Sequence, residues 1–197
     1  MRLGVHVSIA GNICEAIDHA KELGCNTFQI FSRNPRMWEQ KNATPEHIEQ
    51  FRKKLKRSKI SPVFIHVPYL TNLASPERNV YQNSIQRYIE YIRETESMNV
   101  KYLVTHMGSH KKSGEAKGLG RLAHAINIIF ERTKEQKVVL LLENTAGSGS
   151  WLGYKFAHHQ TVIDGIGDKS RIGVCMDTCH AYSAGYDIRS EKVWKIC

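Results

Sequence analysis

Long apolar runs are missing from this sequence. The longest, such as residues 138–142, are far too short to cross a bilayer, so no membrane partner is expected. A leader pattern is missing too. Met1-Arg2-Leu3-Gly4-Val5-His6 passes directly into a strand-like pattern, which makes a cytoplasmic setting the expectation. Cysteine is scarce: the 5 residues Cys14, Cys25, Cys175, Cys179 and Cys197 are odd in number and irregular in spacing, which excludes a disulfide framework. Cys175-x-x-x-Cys179-His180 has one residue too many for a haem-attachment signal. Low-complexity stretches, linkers and close repeats are absent as well. After the first strand-like segment, Val7-Ser8-Ile9-Ala10-Gly11-Asn12 lacks the glycine spacing of a dinucleotide-binding loop.

Acidic residues are outnumbered: 19 Asp and Glu face 28 Lys and Arg, a formal charge of +9. That balance favours a polyanionic partner, nucleic acid first. Part of the excess is the cluster Arg52-Lys53-Lys54-x-Lys56-Arg57, which equally suits a solvated face near a helix C-terminus. The 197 residues, 41% hydrophobic and 24% charged, suffice for a true core and predict one domain over 1–197.

A structural unit recurs along the chain. Strand-like runs occupy residues 3–8, 27–32, 62–67, 102–107, 138–143 and 172–177, and the segments between them carry helical spacing. Ile9, Ile13, Ile17 and Ala20 form the first stripe, closed by Gly24 as a C′ residue. Thr44-Pro45 and Ser75-Pro76 each have the form of an N-cap followed by proline at the first helical position. Leu122, Ala125, Ile126 and Ile129 form another stripe, and a weaker one over 156–166 is interrupted by His158 and His159. Six consecutive βα units predict an α/β fold with a parallel sheet, each strand buried on both faces. Polar residues at most strand ends, not at one switch point, favour a TIM-type (β/α)8 barrel over a doubly wound sheet. Eight units need about 250 residues. About six βα units are present, and Ser190, Val193, Trp194 and Cys197 open an apolar stripe that then stops. The expectation is a barrel domain incomplete at its C-terminus.

The strand ends supply His6, then Ser32-Arg33-Asn34, then His66, His106, Glu143 and Asp177, with His180 one turn on. If the strands are parallel, these residues converge on one mouth, and mixed histidine and carboxylate donors suit zinc and related divalent ions. His6 alone reads better as a hydrogen-bonded core or loop residue. His110 follows His106 by four residues, a spacing that means little in a loop. His19, His47, His124, His158 and His159 fall on helical segments and read as structural or exposed.

Gly173-Val174-Cys175-Met176-Asp177-Thr178-Cys179-His180 resembles a signature of the endonuclease IV family of apurinic/apyrimidinic endonucleases. His66-Val67-Pro68-Tyr69-Leu70-Thr71-Asn72-Leu73-Ala74 resembles a second, with Thr71 where the family usually has an aliphatic residue. Phe31 to Trp38, His106-Met107-Gly108-Ser109-His110 and Glu143-Asn144-Thr145-Ala146-Gly147 match in order, with Met107 in place of the usual proline. The resemblance spans the whole chain. It implies a TIM-type barrel with three zinc ions, manganese being the alternative in part. It implies His66, His106 and Glu143 on the first metal, Glu143 bridging to a second that Asp177 also binds, and His180 on the third. The remaining family ligands fall beyond Cys197.

The implied reaction is hydrolysis of the phosphodiester 5′ to an abasic site in double-stranded DNA, leaving a 3′-hydroxyl. Glu143 is the bridging catalytic residue, and Arg36 and Tyr69 insert at the lesion. The implied complete enzyme is a monomer, and the 197-residue chain alone is expected to be inactive. Two rivals remain: a metal-dependent sugar isomerase or epimerase on the same barrel, and a fragment that only binds DNA by charge.

Overall fold

The computed structural model describes residues 1–31, 33 and 44–189. Along them run α1 (Glu15–Glu22), β1 (Phe28–Phe31), α2 (Pro45–Ser58), β2 (Val63–His66), α3 (Arg78–Ser97), β3 (Tyr102–His106), α4 (Glu115–Arg132), β4 (Val139–Glu143), α5 (Phe156–Asp164), β5 (Ile172–Cys175) and α6 (Thr178–Ser183). The five strands form one sheet in the order β1-β2-β3-β4-β5, every neighbour parallel. The fold is that of a TIM barrel whose described strands do not close.

The segment expected as a first strand is reduced to a single parallel bridge, His6 to Gln29. It nonetheless runs along β1: Gln29 N donates to the Val5 carbonyl at 3.1 Å, and Val7 N to the Gln29 carbonyl at 2.8 Å. These two bonds make it a sixth, thin member of the sheet.

Register decides which side chains share a face. Phe31 pairs with His66 and His66 with Val104, so His106 lies two residues further along β3 and on the same face. His106 then pairs with Glu143, and Glu143 with Cys175. This stagger is the shear that curls a parallel sheet towards a barrel. The opposite face carries Ile30, Ile65, Leu103, Leu140 and Leu142, all fully buried against the helices. On the inner face Phe64, Tyr102 and Leu141 are only half-buried. β5 is also less covered than expected: Val174 is 48% exposed and its neighbours are half-buried. Burial on both faces therefore fails at β5, because no element among the described residues covers it on its far side.

The caps follow local chemistry. Thr44 accepts from His47 N at 3.3 Å, with Pro45 at the first helical position. Gly24, past the end of α1, takes φ +70°, which a glycine adopts without strain. Ser75 does not cap α3. Its hydroxyl accepts from Glu77 N in a tight turn, and the helix starts at Arg78. His158 and His159 are both buried, not exposed: a ring nitrogen of His158 accepts from Gly153 N, while neither nitrogen of His159 has a hydrogen-bond partner. Burial lowers the pKa of His159, which keeps it neutral in that apolar setting.

Candidate metal centre

At the C-terminal ends of β2, β3 and β4, His66, His106 and Glu143 converge. His66 Nε2 lies 2.9 Å from Glu143 Oε2, and His106 Nε2 lies 3.4 Å from the same oxygen. Around the other carboxylate oxygen stand Asp177 and His180, with His180 Nδ1 3.4 Å from Glu143 Oε1. Each trio, His66–His106–Glu143 and Glu143–Asp177–His180, has donor atoms within 4.8 Å of one another. Nitrogen and oxygen donors about 2.0–2.2 Å from a tetrahedral zinc stand at similar mutual distances. Glu143 belongs to both trios, so one carboxylate joins two candidate positions.

Surrounding hydrogen bonds orient the donors. His66 Nδ1 donates to the Val67 carbonyl at 2.7 Å, so Nε2 is the ring nitrogen that faces Glu143. His180 Nδ1 donates to the Asn144 carbonyl at 2.9 Å, so its free donor atom is Nε2. This proton placement argues against His180 completing the second trio through Nδ1, despite the short distances. It leaves that imidazole for a separate ion. Asp177 is the N-cap of α6 and accepts from His180 N at 2.9 Å, with a second carboxylate oxygen left over.

Glu143 is 7% exposed. Burial alone pushes its carboxyl up, but hydrogen bonds and charge from His106 and His66 win and hold it far below the usual carboxylate range. An ionised carboxylate with imidazole nitrogens that can give up those protons is the donor set a divalent cation takes, and these residues fit one.

The other expected residues are distributed as follows. Tyr69 sits on the rim, 55% exposed, its ring 5.7 Å from that of His106 and 5.5 Å from Phe31. Arg36 lies outside the described residues, as do Ser32 and Asn34. Arg33 is buried away from the mouth and paired with Glu94 at 3.0 Å. His6 bonds Gln29 through Nδ1 and belongs to neither trio. A ring nitrogen of His110 accepts from Gly114 N in the turn before α4, which makes it a loop brace. Thr71, the departure from an aliphatic residue, buries its hydroxyl by donating to the Pro68 carbonyl at 3.4 Å.

Two residues near the site were not singled out by sequence. Asn144 locks the ends of β4 and β5 together: its Oδ1 accepts from Asp177 N at 2.6 Å and its Nδ2 donates to the Asp177 carbonyl at 2.9 Å. Trp151 lies edge-on to His106 at 6.0 Å. With Tyr69, His106 and His180 it lines a pocket of about 250 Å³ beside the carboxylate. A polar residue directly after the Glu143 strand end was the available signal for Asn144. Trp151 follows no periodicity, and its position depends on its bridge to Ser109.

The cysteines of the signature are not convergent donors. Cys175 lies opposite Glu143 in the register, and burial, with the Glu143 and Asp177 charges, pushes its thiol up to about 11. Cys179 is exposed. At pH 8 iodoacetamide is expected to label the exposed Cys179 well before Cys175, because thiolate is the nucleophile and Cys175 is partly buried with a raised pKa. Peptide mapping by mass spectrometry checks this.

A parallel sheet with histidines and carboxylates gathered at its C-terminal mouth defines a TIM-type barrel with a candidate metal centre. Residues 17–196 match the family model described as xylose isomerase-like TIM barrel. The chain is 45% identical over 188 residues to a protein of Methanoculleus marisnigri named probable endonuclease 4, covering 95% of this chain and 67% of the relative. It superposes on the crystal structure of endonuclease IV from Thermus thermophilus with TM-score 0.84 and 32% identity, over 100% of this chain and 70% of that one. The chain belongs to the endonuclease IV family. A D-psicose 3-epimerase superposes with TM-score 0.77 over 96% of this chain and 67% of that one. At 14% identity that likeness is one of fold alone. Among the described residues no helix is long and apolar enough to cross a membrane.

Proposed function

We propose that this chain carries the metal-binding mouth of a zinc-dependent DNA-repair endonuclease that hydrolyses the phosphodiester 5′ to an abasic site and leaves a 3′-hydroxyl. The observation that carries the reading is the convergence of His66, His106, Glu143, Asp177 and His180 around one buried carboxylate. When bound, divalent zinc supplies a nucleophile at neutral pH and neutralises charge on the phosphoryl oxygens.

The residues of the chain do the rest. His66 and His106 present Nε2 to one side of Glu143, and Glu143 spans to the Asp177 side. Asn144 and the Val67 carbonyl fix protons and backbone so that the donors need no rearrangement. Manganese in one position is the alternative loading. Tyr69 on the rim, and Arg36 outside the described residues, serve as planes that fill the gap at a lesion. An abasic nucleotide has lost its stacking, so extruding it costs less there than in intact duplex. The partner is double-stranded DNA bearing abasic sites, the domain a single barrel, the working form a monomer, and the setting the cytoplasm.

Five ligand positions are few for three ions, and the 197-residue chain alone is proposed to be inactive. The test is incision of a duplex carrying one abasic site, with added zinc and with chelator. The chain is compared with a chimaera continued by the C-terminal third of the Methanoculleus marisnigri relative. Zinc-dependent nicking by the chimaera is expected. A folded, zinc-loaded chimaera that does not nick overturns the nuclease reading, and robust nicking by the chain alone overturns only the inactivity.

A further inference from the structure

At the other end of the sheet, where β2 and β3 begin, lies a cleft of about 960 Å³. Its floor is the buried apolar side of Ile60, Val63, Met98 and Val100. Its walls carry six exposed cations, Arg2, Arg52, Lys53, Lys56, Lys59 and Lys101, drawn from the chain start, α2, the turn after it and the turn before β3. The one carboxylate lining it, Glu49, is already paired with Lys53 at 2.7 Å. The remaining cations have no carboxylate among the cleft's lining residues.

Complementing a helix C-terminus accounts for basic residues in the last turn of α2. It does not account for Arg2 or Lys101, which belong to other elements and face the same space. Two of the turns that border the cleft take left-handed backbone. Lys59 stands at φ +60° just past α2, and Asn99 at φ +57° just past α3. The first is a position where glycine fits without steric cost and lysine does not.

We propose that this cleft is a second nucleic-acid contact, which takes the phosphate backbone of a DNA segment other than the one at the metal-binding mouth. A concave wall of cations on an apolar floor fits a ridge of phosphates, each cation releasing a counterion as it pairs. With the metal trios at the C-terminal ends of the same strands, the two contacts face opposite ways. The protein can thus hold one DNA segment while its mouth samples another. The inference rests on the charge and shape of the cleft and not on the metal-centre reading.

The test uses the full chain, undamaged duplex DNA and chelator, so that neither metal nor lesion recognition enters. Affinity is measured by fluorescence anisotropy over a series of salt concentrations for three proteins. These are the unchanged chain, the variant Lys56→Gln/Lys59→Gln/Lys101→Gln, and a control with the same charge loss elsewhere, Lys21→Gln/Lys134→Gln/Lys169→Gln. All six positions are exposed, and circular dichroism verifies folding. The cleft variant is expected to lower the slope of log K against log salt by about 2 to 3, and the control by less than about 1. Equal slopes for the two variants, or no change in the cleft variant, overturn the proposal. A third arm titrates inorganic tripolyphosphate. Tight binding of it that the cleft variant abolishes, with the DNA slope unmoved, assigns the cleft to a small polyphosphate and overturns the nucleic-acid assignment.

Discussion

Replacing Glu143 by Ala is expected to abolish both metal positions at once. In the catalytically complete barrel, nicking should then fall by at least about a thousandfold. The reason is geometric. One oxygen of Glu143 faces His66 and His106, while the other faces His180, and Asp177 shares the second trio. Removing any single histidine deprives one trio, whereas removing the shared carboxylate dismantles both. Zinc stoichiometry by atomic absorption, measured alongside incision, separates this from a simple rate effect. The variant should carry less metal than His66→Ala, which leaves Glu143 and Asp177 together on the other side. Equal zinc content in the two variants would contradict Glu143 as a bridging ligand.

Replacing Arg33 by Met is expected to destabilise the protein by about 3–5 kcal/mol, because it strands a buried carboxylate. Arg33 and Glu94 are both 7% exposed at the side chain, and Glu94 Oε1 already lacks a hydrogen-bond partner. Burial raises the pKa of the Glu94 carboxyl, and Arg33 partly offsets the rise. Without Arg33 the rise should grow. A folded state that binds a proton more readily than the unfolded chain loses stability as pH rises above about 4.5, the ordinary carboxyl value, through the folded value. The deficit of Arg33→Met should therefore shrink as the pH is lowered towards 4. Urea unfolding midpoints at several pH values measure it. The double variant Arg33→Met/Glu94→Leu should recover most of the loss, and failure to recover would show that packing, not charge, dominates at this site.

Much of the architecture is legible from residue pattern alone. Apolar runs separated by helical stripes locate β1 to β5 and five of the six helices, because burial of an apolar face drives both periodicities, although α1 starts only at Glu15 and leaves Ile9 and Ile13 in the loop before it. Thr44-Pro45 and Gly24 mark helix ends correctly, because capping is a local hydrogen-bond problem. Ser75-Pro76 fails for the same local reason: the hydroxyl is taken by Glu77 N before the helix begins. The first strand shrinks to a bridge, and β5 is less buried than its composition suggests. Those outcomes depend on which neighbours cover an edge, and no short window of residues contains that information.

The site divides in the same way. That His66, His106 and Glu143 end strands and Asp177 follows one closely, so that they share one rim, follows from the strand pattern together with parallel pairing. That Arg33 is a buried structural cation does not follow. Its partner Glu94 is sixty-one residues away on α3. Asn144 and Trp151 enter the site only through contacts across the strand ends, and His110 leaves it by bracing a turn.

The βα repeat, the donor residues and, through long ordered motifs, the family are written in the order of the amino acids. Those are properties of spacing and side-chain chemistry. Packing in three dimensions was needed to show that a two-residue offset between β2 and β3 sets His66 beside His106. It also decided that Glu143 meets donors on both sides, and that six cations from separate elements open into one cleft at the far end of the sheet. Register and curvature are set by packing over the whole sheet, and they fix those distances.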